Sequence, residues 1–361
     1  MILAGPIIVG QVSQMLMGLT DSVMIGRVGS VPLAASAFAG TIYGIFFIVG
    51  IGLLLPVAVM VARSRGAGEP KACAQYLRHG AAIAVVFGLL ETVLMLAIGG
   101  HLERFGQPPE VVLEAGTYFK LIAWSLVPTL LFQVFRQFAE SLGHPRIPMV
   151  VLLAAVAVNA GLNWIFIYGH WGVPAYGLAG AGWATLISRW LAVIAIMLCL
   201  ALDVRFRSYW PERWAVALAW TRIREMLRIG LPAAGQLLFE SGAFSAAALM
   251  IGWLGTVPLA AHQIAISCAA MTFMFLLGLS MAVSMRVAEV VGTGERHRLR
   301  AVGFGALAAG TVLMVIFAGV FFVAARPIAA LFVDDSAVVA LAAQLLIVAG
   351  IFQIFDGGQV V

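Results

Sequence analysis

One carboxylate, two amides and one hydroxyl lie in hydrophobic stretches of the sequence, where polar groups are costly. They are Asp21 in MLMGLTDSVMIGRVG, Asn159 and Asn163 in VNAGLNWIF, and Thr185 in GAGWATLIS. The two asparagines are four residues apart, which places both amides on one face of a helix. One formal charge with neutral oxygen donors suits a weakly held monovalent cation, unlike the charge-rich sites of Ca²⁺. Without the carboxylate, the amides and the hydroxyl are more typical of hydrogen bonds between helices.

Two interpretations of Asp21 remain open at this point. A charged side chain inside a membrane helix costs on the order of 2.5–3.5 kcal/mol, and such residues often mark ion or proton pathways. Arg27 follows Asp21 by six residues and could instead form an interfacial salt bridge with it. The sequence therefore predicts either a cation ligand or a group that holds the end of a helix.

Two further acids interrupt hydrophobic segments in the second half of the chain. Glu240 lies in GQLLFESGAF and Asp356 in IFQIFDGGQVV. Each could be a structural acid, and the glycine pair after Asp356 could mark a helix break. Among the weaker candidates, Glu91, Glu140 and Arg189 are expected to pair with other groups or to extend toward the membrane surface.

The composition indicates the class of protein that must position these groups. Hydrophobic residues make up 63% of the chain, charged residues only 10%, and the mean hydropathy is +1.05, whereas soluble domains carry about 25% charged residues. The apolar runs have the length that a bilayer requires. We therefore predict an all-α polytopic membrane protein with ten hydrophobic segments, at 1–25, 32–61, 72–100, 112–140, 147–168, 177–202, 226–253, 258–290, 301–325 and 337–361.

The loops between these segments alternate in charge. Most of the 21 Lys and Arg residues follow the even-numbered segments, as with Arg136 and Arg146 after the fourth. Because cytoplasmic loops carry an excess of basic residues, the even loops and the N-terminus are predicted to be cytoplasmic.

The chain also repeats itself with an offset of 226 residues, the difference between positions 255 and 29. GSVPLAA (Gly29–Ala35) falls on GTVPLAA (Gly255–Ala261), and GAGE in the first copy falls on GTGE in the second. The offset spans an even number of segments, so both copies start on the same side and form parallel repeats. We predict an N-lobe at 1–202 with helices 1–6, a cytoplasmic linker at 203–225, and a partial C-lobe at 226–361 with helices 7–10. Val361 corresponds to position 135, so the second lobe is expected to be incomplete.

Several function classes find no support in the sequence. It contains no phosphate-binding loop, no zinc-ligand spacing and no constellation around a nucleophile, so we expect neither an enzyme nor a cofactor. The net charge of +5 fits basic loops at a membrane surface better than a nucleic-acid partner. Cys73, Cys199 and Cys268 follow no metal or disulfide spacing and are expected to be ordinary helix residues.

Taken in order along the chain, these motifs resemble the multidrug and toxic compound extrusion (MATE) transporters, in their NorM-like branch. The resemblance rests on TDSVMIGRVGSVPLAA, the asparagine pair followed by WIFIYG, GAGWAT, PAAGQLLFESGAF, GTVPLAAHQIA and IFQIFDGGQVV. It implies two six-helix lobes, of which this chain would lack the last two helices, and an antiporter that rocks the lobes to export organic, often cationic, amphipathic compounds against Na⁺ or H⁺. It further implies a monomer in the bilayer of the cell inner membrane.

The resemblance also assigns roles to residues. It implies an N-lobe cation site from Asp21, Asn159, Asn163 and Thr185, which would hold Na⁺ if the protein is Na⁺-coupled, and a C-lobe cation or substrate site that comprises Glu240 and Asp356. A flippase for lipid-linked precursors, from the wider superfamily, is the alternative. Such a protein is expected to line its cavity with several arginines, whereas acids outnumber bases within these segments.

Overall fold

The structure, a computed structural model, describes residues 4–214, 217–295, 297–333 and 335–360, and all regular secondary structure in these ranges is helical. Val361, which marks the end of the predicted repeat, lies outside them. Each of the ten predicted segments corresponds to a helix or, for the fourth, to a pair of helices. The helices are α1 Ala4–Gly26, α2 Ser30–Gly66, α3 Pro70–Gly99, α4 Pro109–Trp124, α5 Leu126–Ser141, α6 Arg146–Tyr168, α7 Gly177–Leu202, α8 Trp220–Gly252, α9 Thr256–Thr293, α10 Arg298–Ala330 and α11 Ser336–Val360.

The length and composition of these helices suit a membrane. Among the described residues, nine spans are long and apolar enough to cross a bilayer, with α4 and α5 counted together as one. Large apolar side chains such as Val86, Val93 and Leu113 are exposed on the surface of the bundle, as expected for a surface in contact with lipid. The chain is therefore a multi-pass membrane protein.

Proline explains the break between α4 and α5. A proline inside a helix has no N–H to donate, and its ring collides with the carbonyl group four residues earlier. Trp124 is four residues before Pro128, and α4 ends there, with Ser125 as the junction to α5. The same effect bends α10, where Ala324 leaves helical geometry three residues before Pro327. Pro128 thus divides the fourth predicted segment into two helices.

The described chain folds into two compact units. The larger unit is Ser13–Leu238, and the smaller unit combines Met1–Val12 with Phe239–Val361. In the larger unit, two apolar clusters are built mainly on the α2–α7 helices, with Ile25 of α1 and Met226 of α8 as further members. In the smaller unit, one cluster joins α9, α10 and α11. Because the unit boundaries fall inside α1 and α8, the division into lobes at 202 and 226 stays a prediction.

Glycine permits the same close helix crossing in each unit. In the larger unit, a Cβ atom at Gly52 on α2 would lie 2.4 Å from the Cα atom of Ala234 on α8. In the smaller unit, a Cβ atom at Gly278 on α9 would lie 3.0 Å from the Cα atom of Ile8 on α1. Both pairs differ by the sequence offset of 226, since 52 + 226 is 278 and 8 + 226 is 234. The internal repeat is therefore also a structural repeat.

The predicted linker is fixed to α3 at its C-terminal end. The backbone N–H of Ala219 donates a 2.9 Å hydrogen bond to Nε2 of His79, and the Tyr76 hydroxyl donates one of 2.9 Å to Glu225. The guanidinium of Arg222 lies 4.9 Å from the centroid of the Tyr76 ring. These contacts, all within the larger unit, hold the start of α8 against α3.

Candidate functional site

The four residues predicted to form the N-lobe site come together between α1, α6 and α7. Nδ2 of Asn163 donates a 2.5 Å hydrogen bond to Oδ1 of Asp21, and the Thr185 hydroxyl lies 3.5 Å from Oδ2 of Asp21. Asn163 also donates to Oδ1 of Asn159 over 3.3 Å, and the Asn159 amide lies 3.5 Å from the hydroxyl of Ser188. We call these five residues the Asp21 cluster.

The local sequence explains why the two amides face the two hydroxyls. Asn159 and Asn163 lie one turn apart on α6, and Thr185 and Ser188 lie one turn apart on α7. The two helices approach closely because Gly180 has no side chain: a Cβ atom there would lie 2.4 Å from the carbonyl oxygen of Phe166. Small residues at helix contacts allow this approach in membrane bundles.

The donor set of the Asp21 cluster fits a small monovalent cation. Asn159, Asn163 and Ser188 are completely buried, and Thr185 is nearly so. Oδ1 of Asn163 is buried and has no hydrogen-bond partner within the described residues, so one amide oxygen remains available beside the carboxylate. Carboxylate, amide and hydroxyl oxygens are hard ligands suited to hard cations. Asp21, Asn159, Asn163 and Thr185 could hold Na⁺, and Asp21 could alternatively accept a proton.

The alternative interpretation of Asp21 as the partner of Arg27 is wrong for this structure. Asp21 bonds to Asn163 and Thr185, whereas Arg27 is exposed and forms no ion pair with Asp21 among the described contacts. The basic group that acts electrostatically on Asp21 is instead Arg189 on α7. The sequence could not indicate this relationship, since the two residues are far apart in the chain.

Arg189 is held in place by polar groups from two other helices. Its Nη1 donates to the Tyr43 hydroxyl on α2 over 2.6 Å and to the Ser125 hydroxyl at the α4–α5 junction over 2.5 Å. The guanidinium also lies 4.8 Å from the centroid of the Tyr43 ring, and the Tyr43 hydroxyl donates to Thr129 over 3.1 Å. Arg189 is thus a partnered residue, as predicted, beside the Asp21 cluster.

The second predicted site lies in the smaller unit. Glu240 on α8 is exposed and Asp356 on α11 is half-buried, and their carboxyl groups interact electrostatically. Neither forms a hydrogen bond or ion pair among the contacts of the described residues. Nearby on α11, the amide of Gln353 donates to the hydroxyl of Thr272 on α9. Two neighbouring acids without a basic partner are suited to attract a cation.

The structure tests what the sequence predicts for Glu91, Arg136 and Glu140. Glu91 was expected to pair or to reach the membrane surface, but it is 3% exposed and neither carboxyl oxygen has a hydrogen-bond partner within the described residues. Arg136 was assigned to a loop, but it lies inside α5 and is 2% exposed. Its Nε donates to Oε1 of Glu140 over 2.8 Å, so the prediction that Glu140 pairs is confirmed. Arg136 is tolerated inside the bundle because its charge is paired with that of Glu140 one turn later on the same helix.

Sequence reasoning missed Tyr43, Ser125 and Ser188. Ser188 carries a detectable signal, since it lies one turn after Thr185 on the same face of α7. Tyr43 and Ser125 carry none, because their contacts with Arg189 join residues that are 146 and 64 positions apart.

Comparisons with known proteins place the chain in a family. The MatE family model matches residues 6–165 and 232–361. A protein of Mesorhizobium japonicum named "Probable multidrug resistance protein NorM" is 33% identical over 368 residues, which cover 99% of this chain and 78% of the relative. One of the same name from Rhodopseudomonas palustris is 36% identical over 364 residues, covering 99% and 77%.

Solved structures agree with the sequence comparisons at the level of the fold. The crystal structure of the eukaryotic MATE transporter AtDTX14 superposes with a TM-score of 0.88 at 20% identity, covering 99% of this chain and 80% of that one. With a family model that matches both repeats and relatives above 30% identity over almost its full length, this chain belongs to the MatE family.

Proposed function

We propose that this protein exports amphipathic organic compounds, often cationic ones, across the membrane in exchange for Na⁺ or H⁺. The names of its relatives, "Probable multidrug resistance protein NorM", support multidrug efflux as the activity. The observation that carries the coupling proposal is the Asp21 cluster, in which a carboxylate inside a membrane bundle contacts two amides and a hydroxyl.

The proposed role of the Asp21 cluster is to hold the coupling cation in one conformation and to release it in another. A ligand that binds two conformations equally shifts neither, so the cluster must change its cation affinity as the helices move. Asp21 lies near the C-terminal end of α1, with its ligands on α6 and α7. A movement of α1 relative to the α6–α7 pair would therefore separate the carboxylate from its neutral oxygens and lower the affinity.

The proposed substrate class follows from the acids of the smaller unit. Glu240 and Asp356 provide two neighbouring carboxyl groups without a basic partner among the described contacts, and these would attract an organic cation. The flippase alternative requires basic groups that are free to meet an anionic head group. Arg189 already donates to Tyr43 and Ser125, which disfavours that alternative.

The proposed setting is the cell inner membrane, with a cytoplasmic N-terminus and a single chain as the transporting unit. The excess of basic residues in the even-numbered loops supports this orientation. We further propose that segments 1–202 and 226–361 act as the two moving lobes, with 203–225 as the cytoplasmic linker. No cofactor is required, because the imposed cation gradient supplies the free energy.

Dye efflux from proteoliposomes tests the proposal. The purified protein is reconstituted with ethidium inside the vesicles, and an inward Na⁺ gradient or an inward proton gradient is imposed in separate experiments. We expect at least one gradient to accelerate efflux over protein-free vesicles. Absence of efflux under both gradients, for several cationic dyes, would contradict the proposal and favour the flippase alternative.

A further inference from the structure

A row of polar side chains winds along α5 as a shallow spiral. These residues are spaced four apart, so each lies about one helical turn above the previous one. We call this row the α5 polar stripe; it consists of Ser125 at the helix junction, Thr129, Gln133, Gln137 and Ser141. All are buried except Thr129, which is half-buried. A buried polar row of this length in a membrane bundle requires an explanation, because apolar residues are favoured there.

The two ends of the α5 polar stripe connect to different regions of the larger unit. At one end, Ser125 accepts the hydrogen bond of Arg189, which acts electrostatically on Asp21. At the other end, Ser141 donates to the carbonyl oxygen of Ala58 over 3.0 Å, and its own carbonyl accepts from Arg65 over 3.2 Å. Ser125 and Ser141 are separated by 16 positions, a rise of about 24 Å along a helix. Since Arg65 lies on the side predicted to be cytoplasmic, the stripe leads from the Asp21 cluster toward the cytoplasm.

The middle of the stripe contains buried polar atoms that form no hydrogen bond with the described residues. Oε1 of Gln133 and both polar side-chain atoms of Gln137 are buried and have no hydrogen-bond partner within the described residues. Oε2 of Glu140, adjacent to the stripe, is likewise buried and has no hydrogen-bond partner among the described residues. A buried polar group without a partner is destabilising, and internal water is the usual partner of such groups.

The charges along the stripe are compatible with a mobile proton. Arg136 is paired with Glu140 on α5, and the charge of Arg189 on α7 is opposed by Asp21. On α2, Arg65 lies at the cytoplasmic end of the stripe. Glu91 on α3 is an acid and adds no positive charge. Among the described residues, no uncompensated cation therefore lies at the middle of the stripe, where it would repel a proton.

We propose that the α5 polar stripe binds a column of internal water and that this column carries protons between the Asp21 cluster and the cytoplasm. Water molecules held by Gln133 and Gln137 accept a proton from one neighbour and donate one to the next, so that no side chain of the stripe changes its own charge. The amides position the water, while Ser125 and Ser141 mark the ends of the column. The proton-carrying part rests on the proposed cation-coupled export; the water-binding part does not.

Water binding is tested directly by solid-state NMR on the reconstituted protein labelled with ¹⁵N-glutamine. We expect magnetisation to pass rapidly from water to the side-chain amides of Gln133 and Gln137, as it does for amides in contact with solvent. The signal that disappears in the Gln137→Leu variant is assigned to Gln137. The same substitution should slow the transfer of magnetisation from water to the Gln133 amide. Gln75→Leu, the same substitution at a half-buried glutamine of α3, should not. Slow transfer to both stripe amides in the unsubstituted protein would overturn the water column.

Proton transport is tested with the Gln133→Leu/Gln137→Leu double variant in the ethidium assay. We expect a fall in proton-driven efflux of about tenfold or more, the factor that corresponds to about 1.4 kcal/mol of added barrier. Equilibrium binding of ethidium should be retained, which shows that the variant is folded. Unchanged proton-driven efflux in the double variant would overturn the proton route. So would dye efflux from the unsubstituted protein that responds to a Na⁺ gradient and not to a proton gradient. A failure of the proposed export function would give a different result, because the unsubstituted protein would then export dye under neither gradient.

Discussion

Asn163 donates a 2.5 Å hydrogen bond to Asp21, although the two residues are 142 positions apart in the chain. The bond joins α6 to α1. It places next to a carboxylate a buried amide oxygen that has no hydrogen-bond partner among the described residues. In a membrane interior, where water does not compete, such a bond both fixes the carboxylate and prepares it to bind a cation. The relationship between these two residues is the basis of the proposed coupling.

The first prediction concerns Asn163. Asn163→Ala removes two donated hydrogen bonds and one acceptor oxygen from the Asp21 cluster. We therefore expect cation-driven dye efflux to fall about tenfold, equivalent to the loss of roughly 1.4 kcal/mol of stabilisation. Ser22→Ala is a matched control, since the exposed Ser22 hydroxyl donates to the carbonyl oxygen of Gly18 on its own helix. Equal losses in the two variants would show that efflux responds to any polar substitution in this region.

The second prediction concerns the crossing of α2 and α8 at Gly52. In Gly52→Ala, the new methyl group would lie 2.4 Å from the backbone of Ala234, so we expect a loss of about 1–3 kcal/mol from overpacking and a lower Tm in detergent. Gly40→Ala on the same helix meets nothing within 4 Å and should leave the Tm unchanged or raise it. A Gly52→Ala protein as stable as Gly40→Ala would mean that the helices can separate at no cost.

The third prediction concerns Glu91. Its carboxyl group is buried and has no hydrogen-bond partner in the part of the chain that the structure describes. Replacement by an apolar residue of similar size therefore removes an unsatisfied polar group. We therefore expect Glu91→Leu to stabilise the protein by about 1–3 kcal/mol, measured as a higher Tm. Glu110→Leu, at an exposed position of α4, serves as the control and should change little. A large destabilisation by Glu91→Leu would indicate that the carboxyl group has a partner in the membrane.

The fourth prediction concerns His144, in the loop between α5 and α6. Burial, together with the nearby Arg205 and Arg65 guanidinium groups, lowers the pKa of His144 below its ordinary value of 6.5. The unfolded chain therefore binds a proton more readily than the folded one. The resulting stability is complete above pH 6.5 and is lost as the pH falls from there toward the folded pKa.

Thermal unfolding between about pH 8 and about pH 5 checks this prediction, since histidine titrates in that range. His144→Gln should flatten the decline in Tm on acidification, whereas His101→Gln, at an exposed position, should retain it. An unaltered decline in the His144→Gln protein would assign the pH dependence to another group.

Much of the helical framework could be predicted because hydrophobic segments have a length fixed by the bilayer. The Asp21 cluster could be predicted in part, because the spacing of Asn159 and Asn163 defines a helix face. The contact between Arg189 and Tyr43 could not be predicted, because the two residues lie on different helices and no local sequence pattern links them. The burial of Arg136 could not be predicted either. An arginine near the end of a hydrophobic segment is normally assigned to the loop, and its pairing with Glu140 is visible only in the structure.

Efflux by the Asp21→Asn variant tests the central claim most directly. Asparagine keeps the size of the side chain and removes its charge, so the variant should fold, bind ethidium and fail to respond to an inward Na⁺ or proton gradient. Arg27→Gln, which alters an exposed residue without a bond to Asp21, should retain most of the response. If Asp21→Asn exports dye under the same gradient at the rate of the unsubstituted protein, Asp21 does not couple cation entry to export.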